Sequence, residues 1–538
     1  MDEVKNMGTG NSMNNEQAAD RKAEDTIEQA AGQTSDNIIG QSDKLIFHSS
    51  DKLMSFGALL LGILFVWLFI GKYPGISIPI FVIAFYALLF GYTRTVISKD
   101  AKFGWFLSIP VFLLSLTYAI YGNEVLMVLD MLALPVLILL QTILITGVNT
   151  FEWHSPGIII DLIYGMSARC LMHIAKPVKL LASVFKKKSG SKGANSTGLK
   201  VLTGLAISVP LLVILLTLLS SADMVFGKLV DTLPNLFENI NLGDIIGKTI
   251  AALVIFFLSF SYLWSLGHSD RISDNALNGI VPKTPEQRRR WDPVTVITVT
   301  ITVDILYVIF VVIQFAYLFG SFGLPDGFTY AEYARSGFFE LILVSLLNIA
   351  LLALTLTYTK LGSPAANIAF KVLNSIMIGC TVIMLLSAHY RMSLYEEAYG
   401  FTFMRIMTHA FMVLLLVLFV ITLARVWYDR LPLLKPYIIA ALIAFTAVNY
   451  INVDEMIAKN NIKRYYTTGE IDMYYFHSLS CSVVDDLMKL AKDKNSEVSD
   501  RAVEMLGQRK DAVSRLNKNW QSFNLTNYLA QKDLEKGW

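Results

Sequence analysis

The chain has 538 residues, of which 54% are apolar and only 16% charged, with a mean hydropathy of +0.52. Soluble domains carry about 25% charged residues, so this composition excludes an ordinary water-soluble protein and makes hydrocarbon the solvent for most of the chain. A net charge of +2 supplies no field for nucleic acid, and Cys170, Cys380 and Cys481 show neither metal spacing nor a CxxC pair.

Residues 1–52 are polar and read as a disordered cytoplasmic tail, with a weak helix over 18–33. They lack the basic start, short apolar core and small-residue cleavage site of a secretory signal. A hydrocarbon layer of about 30 Å needs about 20 apolar residues in a helix. Such runs recur at 55–71, 75–92, 104–121, 125–148, 200–220, 245–266, 293–319, 337–359, 368–388, 404–427 and 436–451. The fold class is therefore all-α: a polytopic transmembrane helix bundle of about eleven spans, with a small extracytoplasmic helical region at the C-terminus. The first two spans are joined by Lys72-Tyr73-Pro74-Gly75, a turn that makes a tight helical hairpin. By segment, the expectation is a tail over 1–52 and four spans over 53–150. A basic interfacial segment and linker over 151–199, seven spans over 200–452 and helical residues 453–538 follow.

Lysine and arginine are retained on the cytoplasmic side and fix the orientation. They crowd alternate loops: Arg94, Lys99 and Lys102; then Arg169 through Lys200; then Arg271 through Arg290; then Lys360 and Lys371; then Arg430 and Lys435. The intervening loops are poor in them, and 221–244 carries Asp223, Asp231, Glu238 and Asp244. This pattern predicts a plasma (inner) membrane protein with its N-terminus in the cytoplasm and its C-terminus outside. Segment 158–185 mixes Ile, Leu, Met and Val with Arg169, Lys176 and Lys179. It reads either as a helix lying on the inner surface, held by anionic lipid headgroups, or as a solvated basic loop that only fixes topology. The Lys/Ser/Gly stretch 186–198 reads as a flexible linker.

An ionisable side chain inside a span costs free energy and marks a cavity, a partner or a function. Asp304 lies near the middle of the seventh span, and Asp130 in the outer part of the fourth. Glu340 begins the eighth span, His409 lies in the outer part of the tenth, and His389 and Arg391 lie just past the ninth. With Glu396 and the counter-charges Arg335, Arg391 and Arg405, all but Asp304 could converge on an outward-opening polar site. Two outer loops, 330–340 and 389–400, mix Tyr with charges of both signs. Such loops fit either an interfacial aromatic belt or a platform for a polar ligand.

No Walker loop, HExxH, nucleophile elbow or dinucleotide glycine fingerprint is present, so no cofactor or metal is expected. The tail reads as helices over 452–469, 471–494, 499–506 and 524–536, packed on the membrane face or on an envelope protein partner. Three functions remain open. The leading one is a non-enzymatic sensor or scaffold at the outer face. The others are an ion-coupled transporter using Asp304 and Asp130, and an envelope enzyme on a lipid-linked substrate with Glu340 or Glu396 as acid or base.

Three motifs carry a family likeness: Ala331-Glu332-Tyr333-Ala334-Arg335 with Gly337-Phe338-Phe339-Glu340-Leu341; Arg391-Met392-Ser393-Leu394-Tyr395 with Ala398-Tyr399-Gly400; and Asn452, Asp454, Ile457-Ala458, Asn461-Ile462, Arg464-Tyr465, Gly469 and Asp472 onward. Over roughly 200–538, with Trp520, Asn524 and Leu525 also fitting, the chain resembles a bacterial family of multi-pass membrane proteins catalogued as domain of unknown function 4173. The resemblance implies a multi-pass plasma-membrane protein and no catalytic residue.

Overall fold

The computed structural model describes residues 49–93, 99–180, 242–268, 291–318, 338–359, 363–516 and 518–537, with isolated positions between 208 and 226. Residues 1–48 of the N-terminal tail, most of the fifth expected span, most of the acidic loop after it, the basic linker, and the 330–337 loop with Arg335 lie outside the described residues. What is described is helical. Its one β-type contact is an isolated bridge between Trp291 and Thr359.

The apolar runs become helices because a backbone in lipid must satisfy its own hydrogen bonds. In chain order these are α1 (Ser49–Phe69), α2 (Ser77–Tyr92), α3 (Lys99–Phe106), α4 (Ser108–Ile120), α5 (Glu124–Thr146) and the short α6 (Ile158–Tyr164). Then come α7 (Leu242–Gly267), α8 (Pro293–Leu318), α9 (Phe338–Tyr358), α10 (Pro364–Tyr399), α11 (Phe403–Trp427) and α12 (Leu434–Tyr450). Among the described residues, 8 helices are long and apolar enough to cross a membrane, counting α3 and α4 as one span over Asp100–Ile120. The count reaches 9 if α12 and the next helix, bent from it by 62°, form one broken span. The shorter α2 has 16 apolar-rich residues. The chain is thus an integral membrane protein of many helices.

Two apolar cores organise the bundle. One joins α2, α3, α4 and α5 through Val82, Phe103, Leu107, Leu114 and Leu134, with Ile438, Leu442 and Phe445 of α12 against it. The other joins α8 to α11 through Val311, Leu352, Met377, Met384 and Phe419. Helix α12 packs on both α4 and α11, which ties the two halves together.

Segment 158–180 differs in detail from both the surface helix and the solvated basic loop that its sequence allows. Ile159, Ile163 and Met166 are exposed, as lipid contact requires, but Arg169 is fully buried at the end of a π-helical turn over Gly165–Arg169. Its guanidinium donates to the Val148 carbonyl (3.0 Å), and its own carbonyl accepts from Ser261 Oγ (2.9 Å). Lys176 sits 4.5 Å over the Trp264 ring. Lys179 is exposed.

The C-terminal residues form a module of α13 (Val453–Thr468), α14 (Met473–His477), α15 (Val484–Leu490), α16 (Ser496–Leu516) and α17 (Leu525–Lys536). The single helix expected over 471–494 is split. Arg509 of α16 inserts and donates to the carbonyls of Phe476, Leu479 and Ser480 (2.8, 2.8 and 2.5 Å), which satisfies the groups the break exposes. The module core contains Ile457, Phe476, Val483, Leu487, Leu490 and Leu506, and Phe401, Phe403, Ile406 and Met407 from the bundle complete it.

Candidate functional site

Helix α10 runs eleven residues past the expected span, to Tyr399. His389, Arg391 and Glu396 therefore project from a continuous helix and not from a loop. Residues 389 and 396 are two turns apart and share one face. His409, on α11, completes the group. Its Nδ1 lies 2.7 Å from Nδ1 of His389, and its Nε2 lies 3.1 Å from Glu396 Oε2. One Nδ1 must carry a proton and the other a lone pair, so the three side chains form a directional chain. It starts at exposed His389 and ends at Glu396, which is only 5% exposed. Oε1 of Glu396 is buried without a hydrogen-bond partner.

The chain of three flanks the α10–α11 turn, and the C-terminal module grips the same turn. Gly400, at φ +85°, closes α10, and a Cβ there would sit 2.7 Å from Asn461 Oδ1. The Asn461 amide accepts from Phe401 N (2.7 Å) and donates to Phe401 O (2.8 Å). Arg464 donates to the carbonyls of Glu397 and Ala398 (2.8 and 2.6 Å), and Tyr475 Oη accepts from Phe403 N (2.7 Å). Arg405 donates to the Gly400 carbonyl and stacks on Tyr395 at 4.2 Å. Arg405 thus fastens the turn and makes no ion pair with the His–Glu chain. The second and third sequence motifs, around 391–400 and 452–472, meet here.

The remaining named residues go elsewhere. Arg391 is buried on α10 between Ala388 and Met392 of the α8–α11 core. Glu340 is exposed in the first turn of α9, where the helix dipole favours a carboxylate. Asp130, 1% exposed, accepts from Thr117 (3.0 Å). It faces a cavity of about 10 Å³, room for one water, shared with Asn123, Asn449 and Ser480. Just beyond, Asn123 donates to Asp454 (2.7 Å), which also accepts from Ser480 N (3.0 Å).

Asp304 lies in the other half of the bundle, on the α8 face packed against α10. It is 4% exposed, and neither carboxylate oxygen has a hydrogen-bond partner. One turn further, a chain that sequence reasoning missed crosses three helices. Tyr307 donates to Asn348 (2.7 Å) and Asn348 to Thr381 (2.8 Å). Near the α8 end, Ser387 bonds to Gln314. The signal was present as single polar residues in apolar runs, but nothing in the sequence pairs them.

In the module, burial pushes the Cys481 thiol up, against the opposing pull of Arg509. All three cysteines are free. Among the described residues no group of three or more His, Cys, Asp or Glu could hold a metal ion.

No curated protein and no solved structure matches the chain. The expected likeness to an uncharacterised membrane-protein family holds in kind, but the matching family carries a different number and its match begins earlier, taking in α4 and α5. A family model described as domain of unknown function DUF4153 matches residues 108–490, more than half of the sequence, and the chain belongs to that family.

Proposed function

We propose that this protein is a non-enzymatic membrane sensor or scaffold in which the polar group His389, His409 and Glu396 reports to the C-terminal helical module. In this reading it resides in a bacterial plasma membrane. The module lies outside the cytoplasm, within reach of an envelope protein partner. One observation carries the proposal: the turn over 400–403 is flanked by the polar group and also held by Asn461, Arg464 and Tyr475. A change of protonation or of ligand at the polar group moves the ends of α10 and α11, and with them the module's grip. Hydrogen exchange of residues 453–468 in nanodiscs tests this. His409→Gln and Glu396→Gln should speed exchange there by roughly fivefold, the size of about 1 kcal/mol of hydrogen bonding. His268→Gln, just past the end of α7 and far from the group in sequence, serves as the control. Equal exchange in all four proteins would end the proposal.

A second reading, an ion-coupled carrier, is favoured by Asp304 alone. A buried carboxylate with no donor destabilises the fold, so packing gives no account of Asp304 and a functional role does. Asp304→Leu should then leave detergent thermal stability unchanged or raised, by up to about 1–3 kcal/mol. It should also abolish any ion flux in proteoliposomes. A lowered melting temperature would make Asp304 a structural residue.

A further inference from the structure

We infer that the start of helix α17, with the segment before it, is a membrane-surface anchor: an aromatic and aliphatic face seated in the headgroup layer of the bilayer that the spans cross. The inference stands apart from the polar group at the α10–α11 turn and holds or fails without it.

The height of this segment is fixed by its bonds. Trp520 packs on Trp67, in the last turn of α1, with ring centroids 5.2 Å apart. Ser522 Oγ accepts from Tyr73 N (3.1 Å), and the Phe523 carbonyl accepts from Ile76 N (3.0 Å) at the start of α2. Asn524 donates to the carbonyls of Tyr118 and Tyr121 (2.9 and 2.7 Å), and Thr526 donates to Ile120 (2.6 Å), at the end of α4. Residues 520–526 are therefore level with the ends of three apolar helices. Hydrocarbon gives way to headgroups at that level.

The chemistry of the outward face matches that level. Ala530 and Leu534 turn inward to the module core, while Leu525, Tyr528 and Leu529 are 40%, 49% and 48% exposed on the opposite side. Trp520, 50% exposed, and Trp67, 52% exposed, extend the same apolar surface across the contact. Lys532, one turn after Tyr528, is exposed on that side. Trp and Tyr favour the headgroup layer, Leu reaches the acyl boundary, and Lys extends to lipid phosphate. Facing water alone, this surface would be an apolar patch with no compensation.

Nitroxide accessibility tests the assignment on the full chain in nanodiscs, with the native cysteines replaced by serine or alanine. A label at Leu529→Cys is expected to collide more with oxygen than with a water-soluble nickel chelate. A label at Glu504→Cys, exposed on α16, should show the reverse. A label at Tyr528→Cys gives an independent reading of the same face. Equal nickel access at 504 and 529 would mean that the face is wet and overturn the inference. Shielding at 529 that appears only as protein concentration rises would assign the face to a second copy, and also overturn it.

Discussion

Gly400 has φ +85° and ψ 172°, a combination that side chains other than glycine scarcely adopt. Asn461 Oδ1 fills the place a Cβ would take, so two separate requirements select glycine at the point where the bundle meets the module. Gly75 plays the matching part at the α1–α2 turn, where a Cβ would come within 2.6 Å of the Phe523 carbonyl. Gly400→Ala should destabilise the docked state by about 1–3 kcal/mol. The expected readout is a lower first transition in a thermal melt of the detergent-solubilised protein. An unchanged melt would mean that the turn is not under this constraint. His389 and Glu396 were legible as members of one outer polar group, but reading 389–400 as a loop hid the spacing of seven that puts them on one helical face. That His409 meets them depends on the register of α11 against α10, which no local pattern encodes. Asp130 and Asp304 were legible as buried charges, but their separation into two halves of the bundle was not, because each is placed by different helix neighbours.

At the scale of elements, the apolar runs that are described were read as helices because lipid imposes length and backbone closure together, although 8 or 9 helices, not eleven, qualify as spans among the described residues. The errors fall where polarity and secondary structure part company. Beyond residue 388 the sequence turns charged and tyrosine-rich, which reads as a loop. Yet α10 continues to Tyr399, since no proline interrupts it and Gly400 supplies the stop. The opposite error lies in 471–494, where periodic apolar residues read as one helix but Arg509, from a distant helix, stabilises a break. Between α15 and α16, Asp493 is a local clamp. It accepts from Asn495 N (2.9 Å) and from Tyr465 Oη (3.0 Å) on α13. The bond from the Asn495 amide is the main cause that holds its carboxyl below the ordinary 3.8. A carboxyl held down in the folded state contributes stability above its unfolded value and loses it as pH falls through the folded value. Wild type should therefore weaken below pH 3.8 by a component that Asp493→Asn lacks. Parallel melts at pH 5 and pH 3 read the difference. Identical pH dependence in the two proteins would remove Asp493 from the account.

For the whole molecule, the distribution of lysine and arginine and the contacts of the C-terminal module arrive at the same grouping by separate physics. The expected spans place the loops after the first, third and ninth on one side, and the turns between helices there are 70–76, 121–123 and 400–402. The module bonds to all three: to Ile76 through the Phe523 carbonyl, to Tyr121 through Asn524, and to Phe401 through Asn461. It also follows directly from α12. These loops therefore share one side of the bundle with residues 453–537. Which side faces the cytoplasm is a prediction from charge alone, and it needs a probe that reaches the module. Cys481 is a poor one, because it is partly buried and its thiol is pushed up by burial, so it is slow to form the reactive thiolate. Tyr474, 85% exposed on α14, is a good one. In intact cells, Tyr474→Cys should react with a membrane-impermeant maleimide while wild type stays unlabelled. A cysteine placed at exposed Lys179 should react only after the membrane is opened. Labelling of Lys179→Cys in intact cells, with Tyr474→Cys protected, would invert the orientation. It would also move the His389–His409–Glu396 group to the cytoplasmic face.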